Sequence, residues 1–300
     1  MPHPDNLAVA TRLRELADLL EEQQANPYRV RAYRRAADTV DALDESLASR
    51  VARDGRDSLT SLPGIGPAIA SGIAEMLDTG RFAQLERMRG SADPEALLRT
   101  LPGIGKKLAA RIHDELHVDN LTDLEIAACD GRLANVPGIG SRRAEMIRAI
   151  LADRLGRVRT RSARNGPEPE IAMLLDVDAE YREKAAAGQL PRIAPRRFNP
   201  RGEAWLPILH TQREDWHFTA LFSNTARAHR LGQSEDWVVI YYHSDNEPEG
   251  QCTIVTEHRG PLAGRRVVRG REAECRAEIG GHERGAPLND MRQPMKDEHI

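Results

Sequence analysis

The chain has almost no lysine. Of its 43 basic residues only Lys106, Lys107, Lys184 and Lys296 carry an amine, and the first 105 positions hold none. Chemistry that needs a lysine side-chain amine is not expected in that stretch, because a guanidinium stays protonated and attacks poorly. Aromatics are scarce too, at 4% of 300 residues, and Trp205, Trp216 and Trp237 all fall after position 200. The two halves are therefore built differently. Cysteine is limited to Cys129, Cys252 and Cys275, with no CxxC pair and no even set. This argues against a disulfide framework and fits a reducing cytoplasm, nucleoid-associated or not. Cys252, His258, Cys275 and His282 lack the spacing of zinc ligands. No apolar run approaches a membrane span, and Met1 to Asn6 do not form a signal peptide, so no membrane partner is expected. The net charge of -3 excludes a globally basic chain, and residues 1–160 balance 23 basic against 24 acidic groups. A nucleic-acid partner would need a local basic face.

What the chain does have is one short phrase written three times: Leu62-Pro63-Gly64-Ile65-Gly66, Leu101-Pro102-Gly103-Ile104-Gly105 and Val136-Pro137-Gly138-Ile139-Gly140, with starts 39 and then 35 residues apart. Recurrence at this period marks a repeated structural unit. Proline fixes φ and removes a donor. The glycines permit a turn with positive φ and let another backbone approach. A segment with helical spacing follows each copy, so the amides after the turn are unpaired and sit at a positive dipole end, which suits a phosphate. The copies differ in charge. Pro67 and Ala68 follow the first, Lys106 and Lys107 the second, and Ser141, Arg142 and Arg143 the third. The second and third are expected to carry most of any backbone affinity.

Around the repeats the pattern is helical from about residue 6 to 157. Val9, Leu13, Leu16 and Leu20 mark one amphipathic helix. Asn26 and Pro27 open another, with apolar Val30, Tyr33, Ala37 and Val40 opposite Arg29, Arg31, Arg34 and Arg35. The Arg-, Gly- and Pro-rich stretch 158–170 reads as a linker, 171–186 as a helix, and 188–203 as an extended basic loop. The period then changes to two. Strands are expected at 205–211, 216–222, 237–243 and 252–256, with a helix near 224–231 and a fifth strand near 265–269. The fold class is multidomain: an all-α half with three hairpins, then a small α+β domain of ββαββ type. The expected units are 5–90, 91–157 and 171–276, followed by a disordered tail at 277–300.

The hairpins resemble helix-hairpin-helix motifs, which bind nucleic-acid backbone without reading sequence. The run Asn26-Pro27-Tyr28-Arg29-Val30-Arg31-Ala32-Tyr33-Arg34-Arg35-Ala36-Ala37, followed by the first hairpin and Thr79-Gly80, is similar to the N-terminal region of family X DNA polymerases, over about residues 5–156. The resemblance implies binding of double-stranded DNA at a nick or gap. Backbone contacts would come from Gly64, Gly66, Gly103, Gly105, Lys106, Lys107, Gly138, Gly140, Ser141, Arg142 and Arg143, and phosphate contacts from Arg29, Tyr33, Arg34 and Arg35. No cofactor is required. The family's hairpins also hold Na+ or K+ through backbone carbonyls, here those of Leu62, Ile65, Leu101, Ile104, Val136 and Ile139.

The departures matter as much. The family's lyase nucleophile, a lysine, aligns with Gly72, and its supporting lysines with Ala68 and Gln84. The polymerase palm is missing, since Asp176-Val177-Asp178 has no Gly-Ser before it and reads as the start of a helix. A non-catalytic DNA-binding protein of repair or processing is the leading reading. One alternative is a nuclease or phosphoesterase with chemistry at His210, His217, Arg227 and His229, beside Ser223, Asn224 and Thr225. The favoured reading of these residues is instead a helix cap with satisfied surface histidines. A further alternative is a protein-interaction scaffold.

Overall fold

The computed structural model describes residues 3–91, 93–116, 118, 121–154, 168–244 and 249–285. Most of the expected linker, and residues 286–300 of the expected tail, lie outside these.

Helices α1 (Pro4–Glu22) and α2 (Pro27–Asp41) begin the first unit, with α3 (Leu47–Asp54), α4 (Pro67–Thr79) and α5 (Ala83–Met88) after them. The entry to α2 is the cap read from sequence: the Asn26 side chain accepts from the Tyr28 amide at 2.8 Å, and Pro27 takes the first helical position. α4 stops at Gly80, which adopts φ +68. Leu13, Leu16 and Leu20 of α1 meet Val30, Tyr33, Ala37 and Val40 of α2, all buried.

The second unit contains α6 (Pro94–Leu98), α7 (Lys106–Leu116), α8 (Leu121–Cys129) and α9 (Ser141–Arg154). Its core draws only on residues between Leu97 and Leu151.

After α10 (Ile171–Ala186), strands β1 (Arg192–Ile193), β2 (Leu206–Arg213), β3 (Trp216–Phe222), β4 (Val238–His243), β5 (Gly250–Thr256) and β6 (Arg266–Val268) form one antiparallel meander in chain order. α11 (Ala226–Arg230) lies between β3 and β4, and α12 (Glu272–Gly285) follows β6. Two expectations are corrected. The basic loop 188–203 contributes strand β1 and is tied down, as the Arg196 amide donates to Gly90 O at 2.7 Å and Arg197 pairs with Glu95 at 2.6 Å. The tail does not begin at 277, because α12 continues to Gly285, with Cys275 buried in the sheet's core. Among the described side chains of that helix only Cys275 is buried, too little to give a periodic sequence signal.

Period two sorts the sheet into two faces. Leu209, Phe218, Ala220, Ile240 and Ile254 face α10 and α12, packing on Leu174, Val177 and Tyr181. The opposite face presents Ile193, Leu206, Ile208, Leu221, Val239 and Tyr241 to the first helical unit, in one continuous core with α1, α2, α4 and α5. Units separated by about eighty residues of chain thus share a core. The second unit meets helix α11, between β3 and β4, through ion pairs: Arg227 with Glu115 at 2.6 Å and Arg230 with Asp114 at 3.6 Å.

Candidate nucleic-acid interface

The three Gly phrases fold alike. In each, the residue before proline accepts from the amide three positions on: Leu62 from Ile65 at 3.1 Å, Leu101 from Ile104 at 3.2 Å, Val136 from Ile139 at 2.9 Å. Gly64, Gly103 and Gly138 adopt φ of +76, +81 and +91, as a turn with proline at its second position and φ > 0 at its third requires. All six flanking apolar side chains are buried, which anchors each turn at both ends.

The second glycines have another reason to be glycine. Gly105 and Gly140 do not have positive φ, and a Cβ on either would meet nothing within 4 Å. Neither backbone conformation nor internal packing demands glycine there. What glycine provides is bare backbone at the mouths of α7 and α9, where first-turn amides have no intrahelical carbonyl.

The side chains around the turns separate the copies. Lys106, Lys107, Ser141, Arg142 and Arg143 are exposed. Among the described residues no carboxylate pairs with Lys106, Lys107, Arg142 or Arg143. Arg143 donates back to Gly138 O at 3.0 Å, and Arg111 of α7 donates to Pro137 O. Arg111 was not singled out by sequence. It stands eight residues after Gly103, yet it lies against Gly138 of the other hairpin, while Met146, eight after Gly138, lies against Gly103. The two hairpins are reciprocally packed, a relation that the 35-residue repeat alone does not reveal.

The first hairpin offers less. Pro67 has no N–H to donate, and the first turn of α4 brings no charge. It is not wholly uncharged, however. Arg35 of α2, exposed, lies against Gly64, and Thr39 donates to Pro63 O at 2.8 Å. The other α2 candidates are engaged or enclosed. Arg34 pairs with Asp18 at 3.0 Å and Glu21 at 2.7 Å. Tyr33 is buried and donates to Gln84 at 2.6 Å. Arg29 is only 6% exposed, under the sheet. The expected open basic face of α2 is thus reduced to Arg31 and Arg35, because the sheet covers one flank and α1 carboxylates neutralise another.

At the positions the resemblance assigns to lyase lysines, Gly72 abuts Phe82, whose ring would lie 2.7 Å from an added Cβ, and Gln84 accepts from Tyr33. No amine stands there. Asp176 and Asp178 do not converge on a shared ion. Asp176 pairs with Arg213 at 2.7 Å, and Asp178 pairs with Arg266 at 2.6 Å and Arg182 at 3.0 Å.

The candidate catalytic cluster divides in two. His210 bonds Thr219 and Gln23, both at 3.0 Å, and burial, with Arg29 and Arg87 nearby, pushes its pKa down to about 3. His217 stacks on His243 at 5.2 Å, and His243 was absent from the sequence candidates. Elsewhere, Thr225 caps α11 by accepting from Ala228 N at 3.1 Å, His229 bonds Asn224 at 2.6 Å, and Arg227 lies beside Trp237. His229 and Arg227 are therefore not partners of His210 and His217. The cap reading holds for Thr225.

Known proteins agree with this geometry. Residues 4–82 match the family described as "Helix-hairpin-helix domain", and residues 56–119 the "SAM-like Helix-hairpin-helix tandem". The N-terminal half is thus a helix-hairpin-helix assembly, and the third hairpin, beyond the matched residues, repeats its geometry. Over 143 residues the chain is 32% identical to "DNA polymerase/3'-5' exonuclease PolX" of Bacillus subtilis (strain 168). That similarity covers 47% of this chain and 24% of the relative, so the chain matches about a quarter of that protein's length.

Proposed function

We propose that this protein binds DNA without sequence preference, in repair or processing, and holds the backbone of nicked or gapped duplex through its second and third hairpins. The observation that carries the reading is the coincidence, at both turns, of bare Gly backbone, a helix mouth and cations without carboxylate partners: Lys106 and Lys107 at one, Arg142 and Arg143 at the other. Cations of this kind exchange condensed counterions for phosphate, which makes binding strongly salt-dependent. The similarity to a DNA polymerase of family X supports a duplex partner. Leu101 O and Val136 O each accept one turn amide and keep a second lone pair, so neutral carbonyls fit Na+ or K+ at the bound backbone.

Fluorescence anisotropy over a salt series tests the reading, using gapped, nicked and intact duplexes of unrelated sequence. Binding should be indifferent to sequence, tighter for gapped or nicked DNA, and should weaken steeply with salt. Binding that ignores salt, or none at all, sinks the proposal and favours a protein-interaction scaffold.

A further inference from the structure

Phe198, in the loop between β1 and β2, is 49% exposed and adopts φ +54. That backbone region is costly for a bulky side chain. The loop that carries it is nevertheless braced. Asn199 closes it, with Nδ2 donating to Glu203 O at 2.8 Å and Oδ1 accepting from the Glu203 amide at 3.0 Å. Its other end is held by the Arg196 amide on Gly90 O and by Arg197 on Glu95. The fold thus fixes an exposed ring in place instead of letting it turn inward.

Phe198 does not stand alone. Its ring centroid lies 4.3 Å from that of His229 on α11, and Trp205, just before β2, meets His229 edge-on at 6.4 Å. Asn224 joins the pieces: its Nδ2 donates to Arg197 O at 3.2 Å, and its Oδ1 bonds His229 Nε2 at 2.6 Å. Burial and the nearby Arg197 lower the pKa of His229, so this ring is neutral near pH 7 and stacks as an aromatic. Arginine borders the rings. The Arg197 guanidinium lies 5.3 Å from the Phe198 centroid. Arg196 and Arg201 are exposed in the same loop, and Arg230 is exposed on α11. Among the described residues no carboxylate pairs with Arg196. Arg201 and Arg230 have only long ion pairs, to Glu203 at 3.7 Å and Asp114 at 3.6 Å.

We propose that this cluster is a platform for unpaired DNA bases, with Phe198 stacking on a base, His229 and Trp205 backing it, and Arg196, Arg201 and Arg230 meeting the phosphates. Exposed rings among cations suit a single strand, because every base has a π-face and every nucleotide a phosphate. A protein-binding patch is depleted of charge at its core, whereas arginines border these rings. The placement favours the same occupant. Arg227 and Arg230 of α11 pair with Glu115 and Asp114 at the end of α7, and α7 opens at the second hairpin with Lys106. Eleven residues of helix lie between, about 16 Å, so a strand leaving a duplex at the hairpin reaches the platform within a few nucleotides. The proposal takes from the DNA-binding reading above only that the ligand is DNA. It gives Asn224 a positioning role and makes His229 a stacking group, not a catalyst.

Anisotropy on the full-length chain would compare an oligothymidylate of about twelve nucleotides, within the site sizes of single-strand binders, with an abasic oligomer of the same length and charge. Wild type should prefer the oligomer that carries bases by about ten-fold, the scale of one stacked base. Phe198→Leu keeps the apolar volume and should melt like wild type, yet lose most of that preference. Phe198→Trp should keep it, and its added emission should be quenched by oligothymidylate but not by the abasic oligomer. Arg196→Gln with Arg201→Gln should weaken both oligomers alike. Changing Lys106, Lys107, Arg142 and Arg143 to Ala should weaken intact duplex and leave the preference for bases in place. A wild type that treats the two oligomers alike, or a folded Phe198→Leu variant that still tells them apart, overturns the platform and leaves the rings to a protein partner. The hairpin reading fails separately, if the four hairpin changes leave duplex binding unmoved while the preference for bases stands.

Discussion

The first helical unit and the tandem hairpin unit carry the same turn and a comparable supply of arginine, yet they hold much of that charge differently. In the first, Arg14, Arg34, Arg50, Arg53, Arg56, Arg81 and Arg89 are each paired with a carboxylate. In the second, the four cations at the hairpin mouths have none among the described residues. A cation already paired must break that pair before it meets a phosphate, whereas an unpaired one gives up only its hydration. The two units therefore differ less in the turn itself than in how many of the cations around it are held by carboxylates. The sheet reinforces the division. It fuses to the first unit through apolar residues, and α11 touches the second through surface ion pairs, leaving the second unit's turns uncovered.

The largest test of this contrast removes the unpaired cations. Changing Lys106, Lys107, Arg142 and Arg143 to Ala should cost about a thousand-fold in duplex affinity near 0.1 M salt, since each phosphate contact contributes roughly 0.9 to the slope of log affinity against log salt. Gel shifts or anisotropy would read both quantities. The same number of changes at Arg14, Arg34, Arg50 and Arg53 should leave the slope nearly unchanged. Equal losses from the two sets would erase the distinction.

The next difference is in stability against pH. Glu75 of α4, half-buried and accepting from the Ala83 amide at 3.2 Å, has its pKa pushed up by burial to about 7. Its carboxyl binds a proton more tightly folded than unfolded. Stability should therefore fall as pH rises from about 4.5 to 7, by at most about 3 kcal/mol, and the cost should be fully present above that window. Chemical denaturation at several pH values would show it, and Glu75→Gln should flatten the dependence. A flat wild-type profile would show that Glu75 is better solvated than its packing indicates.

The glycines should separate folding from binding. Gly103→Ala and Gly138→Ala place a Cβ at positive φ and should cost about 1 kcal/mol or more in stability. Gly105→Ala and Gly140→Ala meet neither strain nor neighbours and should cost less, about the size of a lost cap preference. These should instead weaken duplex binding about ten-fold, because the added methyl stands where backbone must approach. Urea melts beside anisotropy measure the two effects. Gly105→Ala binding like wild type would return that glycine to an ordinary turn role.

Legibility in the sequence followed the range of the interaction. The repeated turns, the Asn26 cap, the period-two strands and the helix stop at Gly80 rest on neighbours in the chain, and these were readable. Strand β1 and α12 depend on distant partners and were not. The same holds for side chains. The exposure of Lys106 and Arg142 was legible because it follows from adjacency to a turn. Arg29 reads from the sequence as part of the open basic face of α2 because nothing local announces the sheet above it. His243 was overlooked because only cross-strand register brings it to His217. Arg111 was overlooked because reciprocal packing of two hairpins, rather than spacing, takes it to Gly138.

The smallest effect is also the sharpest test of what pairing does. Arg34 sits on α2 within the run that resembles family X polymerases, but Asp18 and Glu21 hold it. Glu21's carboxyl is held below its usual range, chiefly by its hydrogen bond to Arg34. Exposed pairs of this kind contribute little to stability, so Asp18→Asn with Glu21→Gln should barely move the melting curve. The change leaves Arg34 in place and removes two negative charges from the surface. If pairing is what silences the first unit, the double variant should bind duplex a few-fold more tightly, with a steeper salt slope. Adding Arg34→Gln should return the slope toward wild type, since the slope counts contacting cations rather than net charge. A gain that survives the loss of Arg34 would mean that bulk charge, and not the released guanidinium, sets affinity. The contrast between the two units would then be one of overall potential rather than of individual pairs.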